Sequence, residues 1–234
     1  RMLSRMEREL AAMRCLMIEG ATIVDRYQCP EFNGVVSDEA RYWEKIANTI
    51  TPISKYYNSE MCNDLVDDAL QVFGGSGYTE DYDLARLYRD ARITNIYDGT
   101  TQIQVNAAIG GLIAGMAPSG QWRQYLDSLT KLIGKNEAIA EIRAQFENGV
   151  ETWRSFENRS LKEGMSFEVV ESAARLVNSL LLEKAALRAS DKSARAKLNA
   201  AYHVDSLAIP QGTRTVSNTC CSTCSLVTPS ASAS

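Results

Sequence analysis

The sequence predicts an all-α protein: an antiparallel helical bundle followed by a second helical unit. Apolar side chains recur at steps of three and four residues along most of the 234-residue chain, which is the spacing of one face of an α-helix. Pro and Gly are few, whereas Ala, Leu, Glu and Arg, which favour helices, are common. No stretch alternates apolar and polar residues as a half-buried strand does.

The first half of the chain begins with a helix predicted over residues 2–27, whose apolar face includes Met6, Leu10, Met13 and Met17. A loop follows, and Ser37–Asp38 can cap the next helix. Thr51–Pro52 is a typical N-cap and first-turn pair, so either a new helix starts there or a long helix kinks. The periodic pattern continues to Gly74–Gly75, which stop it as a glycine C-cap does.

Shorter elements complete this first unit. A helix is predicted over residues 84–92, a turn over 95–99 and a further helix over 100–116. The last helix is rich in Ala and Gly, which permit close approach of another helix. Pro118–Gly120 then marks the first clear boundary in the chain. The sequence therefore predicts a bundle over residues 1–117.

A helical extension is predicted over residues 121–208, with three amphipathic segments and a weaker fourth one from about Asp191 to Leu207. The third segment has one apolar face, formed by Phe167, Val170, Ala174, Val177, Leu181 and Ala185. Ser and Thr dominate residues 209–234, and this tail is predicted to be disordered.

Composition argues against some classes of function. A net charge of −4 does not favour a basic face for nucleic acid, and the longest stretch without charged residues is too polar at its start to span a bilayer. No signal peptide opens the chain, and the dispersed Cys15, Cys29 and Cys62 fit the reducing cytoplasm. The chain opens with Arg1 rather than Met, directly at a predicted helix, which indicates a piece of a longer protein.

Glycines are concentrated in QVFGGSGY, residues 71–78, where the second long helix stops. Gly74, Gly75 and Gly77 let another group approach the backbone and leave amide N–H groups open to an acceptor such as a phosphate. A glycine cluster taken alone is more often only a helix C-cap.

A second motif, IYDGTTQIQ over residues 96–104, places Asp98 at the mouth of a helix, followed by Gly and by hydroxyl and amide groups. In isolation, Asp98 or Thr100 would most simply cap that helix. The combination is more specific than either motif, because the two occur in order with an arginine-rich helix between them.

The stretch QVFGGSGYTEDYDLARLYRDARITNIYDGTTQIQ, residues 71–104, resembles the acyl-CoA dehydrogenase family. It contains segments similar to that family's GGxGY helix end, its LxRDARI helix and its YEGTxQIQ segment, in that order. The resemblance extends back to Arg1 and forward to about Met116. It implies FAD-dependent dehydrogenation of an acyl-CoA thioester to a trans-2-enoyl-CoA, as in fatty acid β-oxidation.

The resemblance also implies roles for individual residues. The family's base is the acid of its YEGT segment, here Asp98, which would remove the α-proton while the β-hydrogen leaves as hydride to FAD. Tyr97 and Gly99 would lie near the substrate. Two groups would contact FAD: Thr100, Thr101 and Gln102, and, at the FAD of a neighbouring subunit, Gln71, Val72, Phe73, Gly74 and Gly75. A homodimer or homotetramer is thus implied, with an electron transfer flavoprotein as the usual electron acceptor.

Asp98 departs from the family pattern, in which most members carry Glu at this position. The side chain is shorter by one methylene, roughly 1.5 Å of reach, and a base must lie within hydrogen-bonding distance of its proton. Three interpretations stay open. The site could bring the substrate closer, the reaction could be a variant on an unusual acyl group, or the base could lie on an earlier helix that precedes Arg1.

Two rival functions are compatible with the motifs: an acyl-CoA oxidase, which passes electrons to oxygen, and a non-catalytic helical scaffold derived from the family. Because the family's other flavin-binding segments precede Arg1, this chain alone is expected neither to hold FAD tightly nor to turn over. A packing or surface role is predicted for His203. No metal site is predicted at Cys220, Cys221 and Cys224, since no second pair and no histidine accompany them.

Overall fold

The computed structural model describes residues 2–29, 38–189 and 191–207, and in these ranges every regular element is a helix. The predicted all-α class is confirmed. The helices are α1 (Met2–Gln28), α2 (Asp38–Phe73), α3 (Gly75–Tyr78), α4 (Leu84–Ile93), α5 (Thr101–Gly115), α6 (Gln121–Ile133), α7 (Glu137–Ser155), α8 (Arg159–Ala186) and α9 (Lys192–Leu207). The predicted disordered tail, with its three cysteines, lies outside the described residues.

Helices α1 and α2 form an antiparallel pair. The Arg5 guanidinium at the start of α1 donates to Asp64 and Asp68 near the end of α2, at 3.2 and 2.7 Å. At the other end of the pair, the Arg26 guanidinium lies 4.5 Å from the ring centroid of Trp43. The order of contacts along α1 is therefore the reverse of their order along α2.

The buried face of α1 differs in part from the predicted one. Leu16 and Ile23 are buried in the core, and Met6 and Met13 pack against it. Leu10 and Met17, however, are 42% and 57% exposed, so their assignment to the core face was wrong. The buried positions of α1 follow a line through residues 9, 12, 16, 20 and 23, and residues 10 and 17 lie one position beyond it, about 100° around the helix.

Helix α2 runs through Pro52 without a break, which decides between the two alternatives that the sequence left open at this point. Proline has no N–H for the carbonyl four residues earlier, so the helix gives up one backbone hydrogen bond there. Packing compensates for this loss, because Pro52, Ile53, Tyr56 and Tyr57 are all buried. α2 is consequently one long element that supports both sequence motifs.

Glycines end α2 and allow α5 to pack closely against it. Gly74, at φ 60°, ends α2 and donates to the Leu70 carbonyl at 3.0 Å, as predicted for a glycine C-cap. In α5, a Cβ on Gly111 would lie 2.4 Å from Thr49 Oγ1 of α2. The predicted close helix approach is confirmed at this position.

Helix α8 lies at the centre of the described structure. Between Val169 and Leu182 every residue except Ser172 is buried, because α8 packs against α1, α2, α5, α6, α7 and α9. The sequence predicted a single apolar face for this segment, and that prediction was wrong. A helix covered on all sides buries its polar positions too, and here these include Glu171 and Arg175.

A single hydrophobic core joins the two predicted units. Leu16 and Ile50 from the first unit and Phe146 and Val177 from the second belong to one cluster of buried residues. α8 also runs in the same direction as α1, since Arg175 contacts Glu9 and Lys184 contacts Glu19. The division at residues 118–120 remains a prediction about domains, and the two parts pack as neighbours.

A buried cluster of charges ties α8 to α1 and α2. The Arg175 guanidinium contacts Glu9 Oε1 at 3.3 Å and Glu171 Oε1 at 2.9 Å. The Tyr57 hydroxyl donates to Glu9 Oε2 at 2.6 Å and lies 2.9 Å from the Tyr202 hydroxyl. Burial raises the pKa of Tyr57 well above its usual range, so this hydroxyl keeps its proton and acts as a donor.

None of the described helices is long and apolar enough to cross a membrane.

Candidate functional site

The turn between α4 and α5, residues 94–100, carries Asp98 in an unusual backbone conformation. Asp98 has φ 51° and is the only non-glycine residue with a positive φ in the described parts of the chain. Gly99 follows at φ 91°. Left-handed backbone costs an L-residue roughly 1–2 kcal/mol and is tolerated best by Asn and Asp among side-chain-bearing residues. Such outliers cluster at functional sites, where the surrounding structure holds them in place.

Gln104 of α5 holds the backbone of this turn. Its Nε2 donates to the Asp98 carbonyl at 2.8 Å. A Cβ on Gly99 would lie 2.6 Å from the same nitrogen, so Gly99 is required both by its φ and by the nearness of Gln104. Asp98, Gly99 and Gln104 therefore form one compact turn within seven consecutive residues.

Helix α2 holds the turn from the other side through three polar side chains. Lys55 Nζ donates to the Thr94 carbonyl and lies 4.5 Å from the centroid of the Tyr97 ring. Asn63 Nδ2 donates at 3.0 Å to the Ala91 carbonyl, at the end of α4. These contacts attach the end of α4 and the start of the turn to α2, and the Ala91 carbonyl also accepts from the Thr94 backbone N–H at 3.0 Å.

Glu60 contributes the third of these contacts. Its Oε1 accepts hydrogen bonds from Asn95 Nδ2, at 3.0 Å, and from the Thr101 hydroxyl. One of these donors precedes Asp98 and the other follows it.

Between its fixed ends, the turn presents Asp98 to solvent. The Asp98 side chain is exposed, and Tyr97 is 50% exposed. No described side chain donates a hydrogen bond to the Asp98 carboxylate. The carboxylate is thus available to a substrate while its backbone is held firmly.

The glycine motif lies at the far end of α2. Residues 71–76 are all exposed, and the space beside Gly74 and Gly75 is open within 4 Å of a built Cβ. Gly77 differs, because it is buried and its Cβ would lie 2.8 Å from Phe73 Cβ. The first two glycines leave the backbone accessible, whereas the third closes the turn.

The structure separates the two motifs. The Asp98 turn is attached to α2 at Glu60, and the first glycine of the other motif follows Phe73, the last residue of α2. A rise of 1.5 Å per residue places these points roughly 20 Å apart along the helix. Residues 71–75 and residues 98–102 therefore form two separate patches on this chain.

The arginines of α4 are paired rather than open. Arg86 contacts Asp83 at 3.2 Å, and Arg89 contacts Glu80 at 3.0 Å. The hydrogen bond from Arg89 lowers the pKa of Glu80. Both arginines therefore form ion pairs on the exposed surface of α4.

Large apolar side chains surround both motifs without being covered. We call this set the motif surface; each member is more than 40% exposed, and the set comprises Val72, Phe73, Tyr78, Tyr82, Leu87, Tyr88, Ile93, Ile96, Tyr97 and Ile103. Exposed apolar side chains gathered around a motif are typical of a surface that binds a ligand or another protein.

The side chains present are suited to a flavin nucleotide. Thr100 and Gln102 are exposed beside the Asp98 turn, and Gly74 and Gly75 offer an open backbone at the other patch. Hydroxyl, amide and backbone N–H groups can bond the acceptor-rich phosphates and ring of such a cofactor. Thr101 is the exception, since its hydroxyl proton already goes to Glu60.

Known proteins share sequence similarity with the part of the chain that carries these motifs. Residues 1–112 match the family model of the acyl-CoA dehydrogenase C-terminal domain. This part of the chain belongs to the acyl-CoA dehydrogenase family. The caffeyl-CoA reductase–Etf complex subunit CarC of Acetobacterium woodii is 31% identical over 112 residues, which are 48% of this chain and 25% of that protein. The short-chain-specific acyl-CoA dehydrogenase of Megasphaera elsdenii is 43% identical over 61 residues, 26% of this chain and 16% of that one.

The fold likeness reaches beyond the family match. The crystal structure of Caenorhabditis elegans ACDH-11 in complex with C11-CoA superposes with a TM-score of 0.71 at 20% identity, covering 90% of this chain and 36% of ACDH-11. A coverage of 90% extends into the second helical unit, since residues 1–112 make up less than half of the chain. This chain therefore spans only a fraction of the length of the proteins it matches.

Four residues that support the turn were missed by the sequence analysis: Lys55, Glu60, Asn63 and Gln104. Gln104 had a local signal, as the last residue of the second motif. The other three contact partners 28 to 41 residues away in sequence, and nothing in the sequence around them indicates those contacts.

Proposed function

We propose that this chain is part of an FAD-dependent acyl-CoA dehydrogenase in which Asp98 removes the α-proton of an acyl-CoA thioester. The observation that carries the proposal is the conformation of Asp98: an exposed carboxylate on left-handed backbone, in a turn held at both ends. Asp is among the residues that tolerate left-handed backbone best, so the turn can hold an acid in this position at a modest cost. Family membership of residues 1–112 supports the same reaction class.

Asp98 would act as the base, and Tyr97 and Gly99 would lie against the thioester. FAD, when bound, supplies the acceptor for the β-hydrogen, which leaves as hydride. Loss of the α-proton to Asp98 and of the β-hydrogen as hydride leaves a trans-2-enoyl thioester. The half-exposed Tyr97 ring gives the substrate an apolar neighbour beside the carboxylate.

The shorter reach of Asp is compatible with this role. A rigid turn allows the position of the carboxylate to be set by the backbone, so a substrate that approaches about 1.5 Å closer would restore the distance. The exposure of Asp98 leaves room for that approach.

Two patches about 20 Å apart support a proposal that one chain contacts two cofactors. Thr100, Thr101 and Gln102 would bind the FAD beside Asp98, with Thr101 acting as an acceptor. The exposed residues 71–75 would bind the FAD of a neighbouring subunit. This arrangement requires at least a homodimer, and the uncovered motif surface is suited to the contact.

An electron transfer flavoprotein is the proposed electron acceptor, and the cytoplasm the proposed location. The relative from Acetobacterium woodii carries Etf in its name, and the free thiols of Cys29 and Cys62 fit a reducing compartment.

A second candidate is the same chemistry in the opposite direction, the reduction of a 2-enoyl thioester. Two relatives are named as reductases, the caffeyl-CoA reductase subunit and the 3-(aryl)acrylate reductase of Clostridium sporogenes. In that direction Asp98 would deliver a proton to the α-carbon instead of removing it.

The test uses the complete flavoprotein that contains this chain. Asp98→Asn keeps the shape and the tolerance of left-handed backbone but cannot act as a base, so flavin bleaching by acyl-CoA without oxygen should slow on the order of 10²–10⁴-fold. Asp98→Glu should keep most of the rate, and Asp90→Asn, at an exposed position of α4, should leave it unchanged. Unchanged bleaching in Asp98→Asn would remove Asp98 as the base. Peroxide formation during turnover would identify an oxidase instead.

A further inference from the structure

We propose that Glu60 is a positioning residue that sets the geometry of the Asp98 turn and the hydrogen-bonding direction of Thr101. Its importance for the reaction rests on the function proposed for Asp98. Its action on the turn does not, and can be measured separately.

The contact has the geometry of a bridge. One oxygen of Glu60 accepts from Asn95 Nδ2 at 3.0 Å and from the Thr101 hydroxyl, so a single atom joins the two ends of a loop with Asp98 between them. We call these two contacts the Glu60 bridge. Lys55 and Asn63 each hold only the side of the turn that precedes Asp98. Glu60 is the α2 side chain that reaches both sides.

The part of α2 that carries Glu60 is packed into the core. Glu60 lies on α2 between Tyr57 and Met61, both buried in the core. A site supported by a packed helix is held more precisely than one supported by a loop. The Glu60 side chain is itself half-buried, and hydrogen bonds to a carboxylate are roughly twice as strong as those between neutral groups.

The bridge also determines what Thr101 can offer. A threonine hydroxyl has one donor hydrogen and two acceptor lone pairs. Because the hydrogen goes to Glu60, the hydroxyl oxygen presents only lone pairs to a bound molecule. Thr101 is therefore set to accept from an N–H or O–H group of a cofactor.

Turn geometry should matter for the rate more than for substrate binding. Asp98 must lie within hydrogen-bonding reach of the α-proton, and a displacement of 1 Å at a reacting group can cost on the order of 10²-fold in rate. The acyl-CoA has other contacts, so its affinity is expected to change far less.

The experiment compares Glu60→Leu, Glu60→Gln and the control Asp67→Leu in the complete flavoprotein. Asp67 is an exposed carboxylate on the same helix, without a described contact to the turn. Hydrogen–deuterium exchange of residues 95–101 measures the turn, and anaerobic stopped-flow measures the flavin reduction rate and the Kd for acyl-CoA.

For Glu60→Leu we expect faster exchange of residues 95–101 and a reduction rate lowered on the order of 10²-fold, with the Kd changed by less than about threefold. Glu60→Gln retains an acceptor oxygen and should recover most of both properties. Asp67→Leu should match the wild type.

Unchanged exchange in Glu60→Leu would overturn the bridge, as would an equal loss of rate in Asp67→Leu. If exchange rises in Glu60→Leu while Asp98→Asn retains full flavin reduction, the bridge stands and the function proposed for Asp98 fails. If Glu60→Leu does not fold, Asn95→Ala removes one of the two donors of the bridge instead. Faster exchange of residues 96–101 is then expected, and unchanged exchange in Asn95→Ala would overturn the bridge.

Discussion

Replacing Arg175 by Leu should destabilise the protein severely. Arg175, Glu9 and Glu171 are 5%, 3% and 8% exposed, and the guanidinium is within 3.3 Å of both carboxylates. The substitution leaves two buried carboxylates without their cation. Breaking a buried ion pair in this way costs about 3–5 kcal/mol, a large part of the roughly 5–15 kcal/mol that stabilises a typical domain.

Urea unfolding of the chain, followed by circular dichroism, measures this loss as a shift in the midpoint at constant slope. Arg159→Leu is the matched control, because Arg159 also pairs with a glutamate four residues away, Glu163, but its side chain is 91% exposed. Exposed pairs contribute about 1 kcal/mol at most. A loss below about 1 kcal/mol for Arg175→Leu would refute the reasoning.

A triple variant separates the net contribution of the cluster from the cost of breaking it. Glu9→Leu, Glu171→Leu and Arg175→Met together remove all three charges, and such replacements are often neutral or stabilising. The Tyr57 hydroxyl would keep Tyr202 as a partner. The triple variant should therefore be more stable than Arg175→Leu alone, and the opposite order would show that packing, rather than charge, governs this site.

Two further substitutions test other parts of the fold. Gly120→Ala would place a Cβ 2.1 Å from the Gly115 carbonyl and should cost about 1–3 kcal/mol in urea unfolding, whereas Gly164→Ala, in an open position of α8, should stabilise by about 0.5–1 kcal/mol; equal effects would contradict the steric argument. His203→Leu should remove the hydrogen bond that lowers the pKa of Glu183 below its usual value. Because the pKa of Glu183 is lower in the folded than in the unfolded protein, this carboxylate stabilises the fold at pH values above the unfolded-state pKa. The difference in stability between the variant and the wild type should therefore shrink as the pH falls below 4.5. A difference that stays constant from pH 6 to 3 would contradict the prediction.

Local signals made much of the fold predictable. The stop at Gly74, the short helix α4 and the start of α5 each depend on residues within one or two turns of the element. Propensity, capping and glycine conformation act at that range. The Asp98 turn was located for the same reason, because its acid, its glycine and Gln104 are adjacent in sequence.

Features that depend on distant partners could not be predicted. Pro52 is tolerated inside α2 because its neighbours are buried, and periodicity alone does not show which helices cover them. The buried charges of α8 read in sequence as an ordinary polar face, since Glu9 lies 166 residues from Arg175. The Glu60 bridge is hidden for the same reason, with partners 35 and 41 residues away.

The pairing of α1 with α8 has a consequence for synthesis on the ribosome. Glu9 meets Arg175 across 166 residues of chain, and at about 5–20 residues per second Arg175 is made roughly 8–33 s after Glu9. During that interval α1 and α2 can pair, but Leu16 and Tyr57 lack the helix that covers them. Nascent chains of this protein should therefore expose an unfinished apolar face for tens of seconds, long enough to make them substrates for chaperones until α8 leaves the exit tunnel.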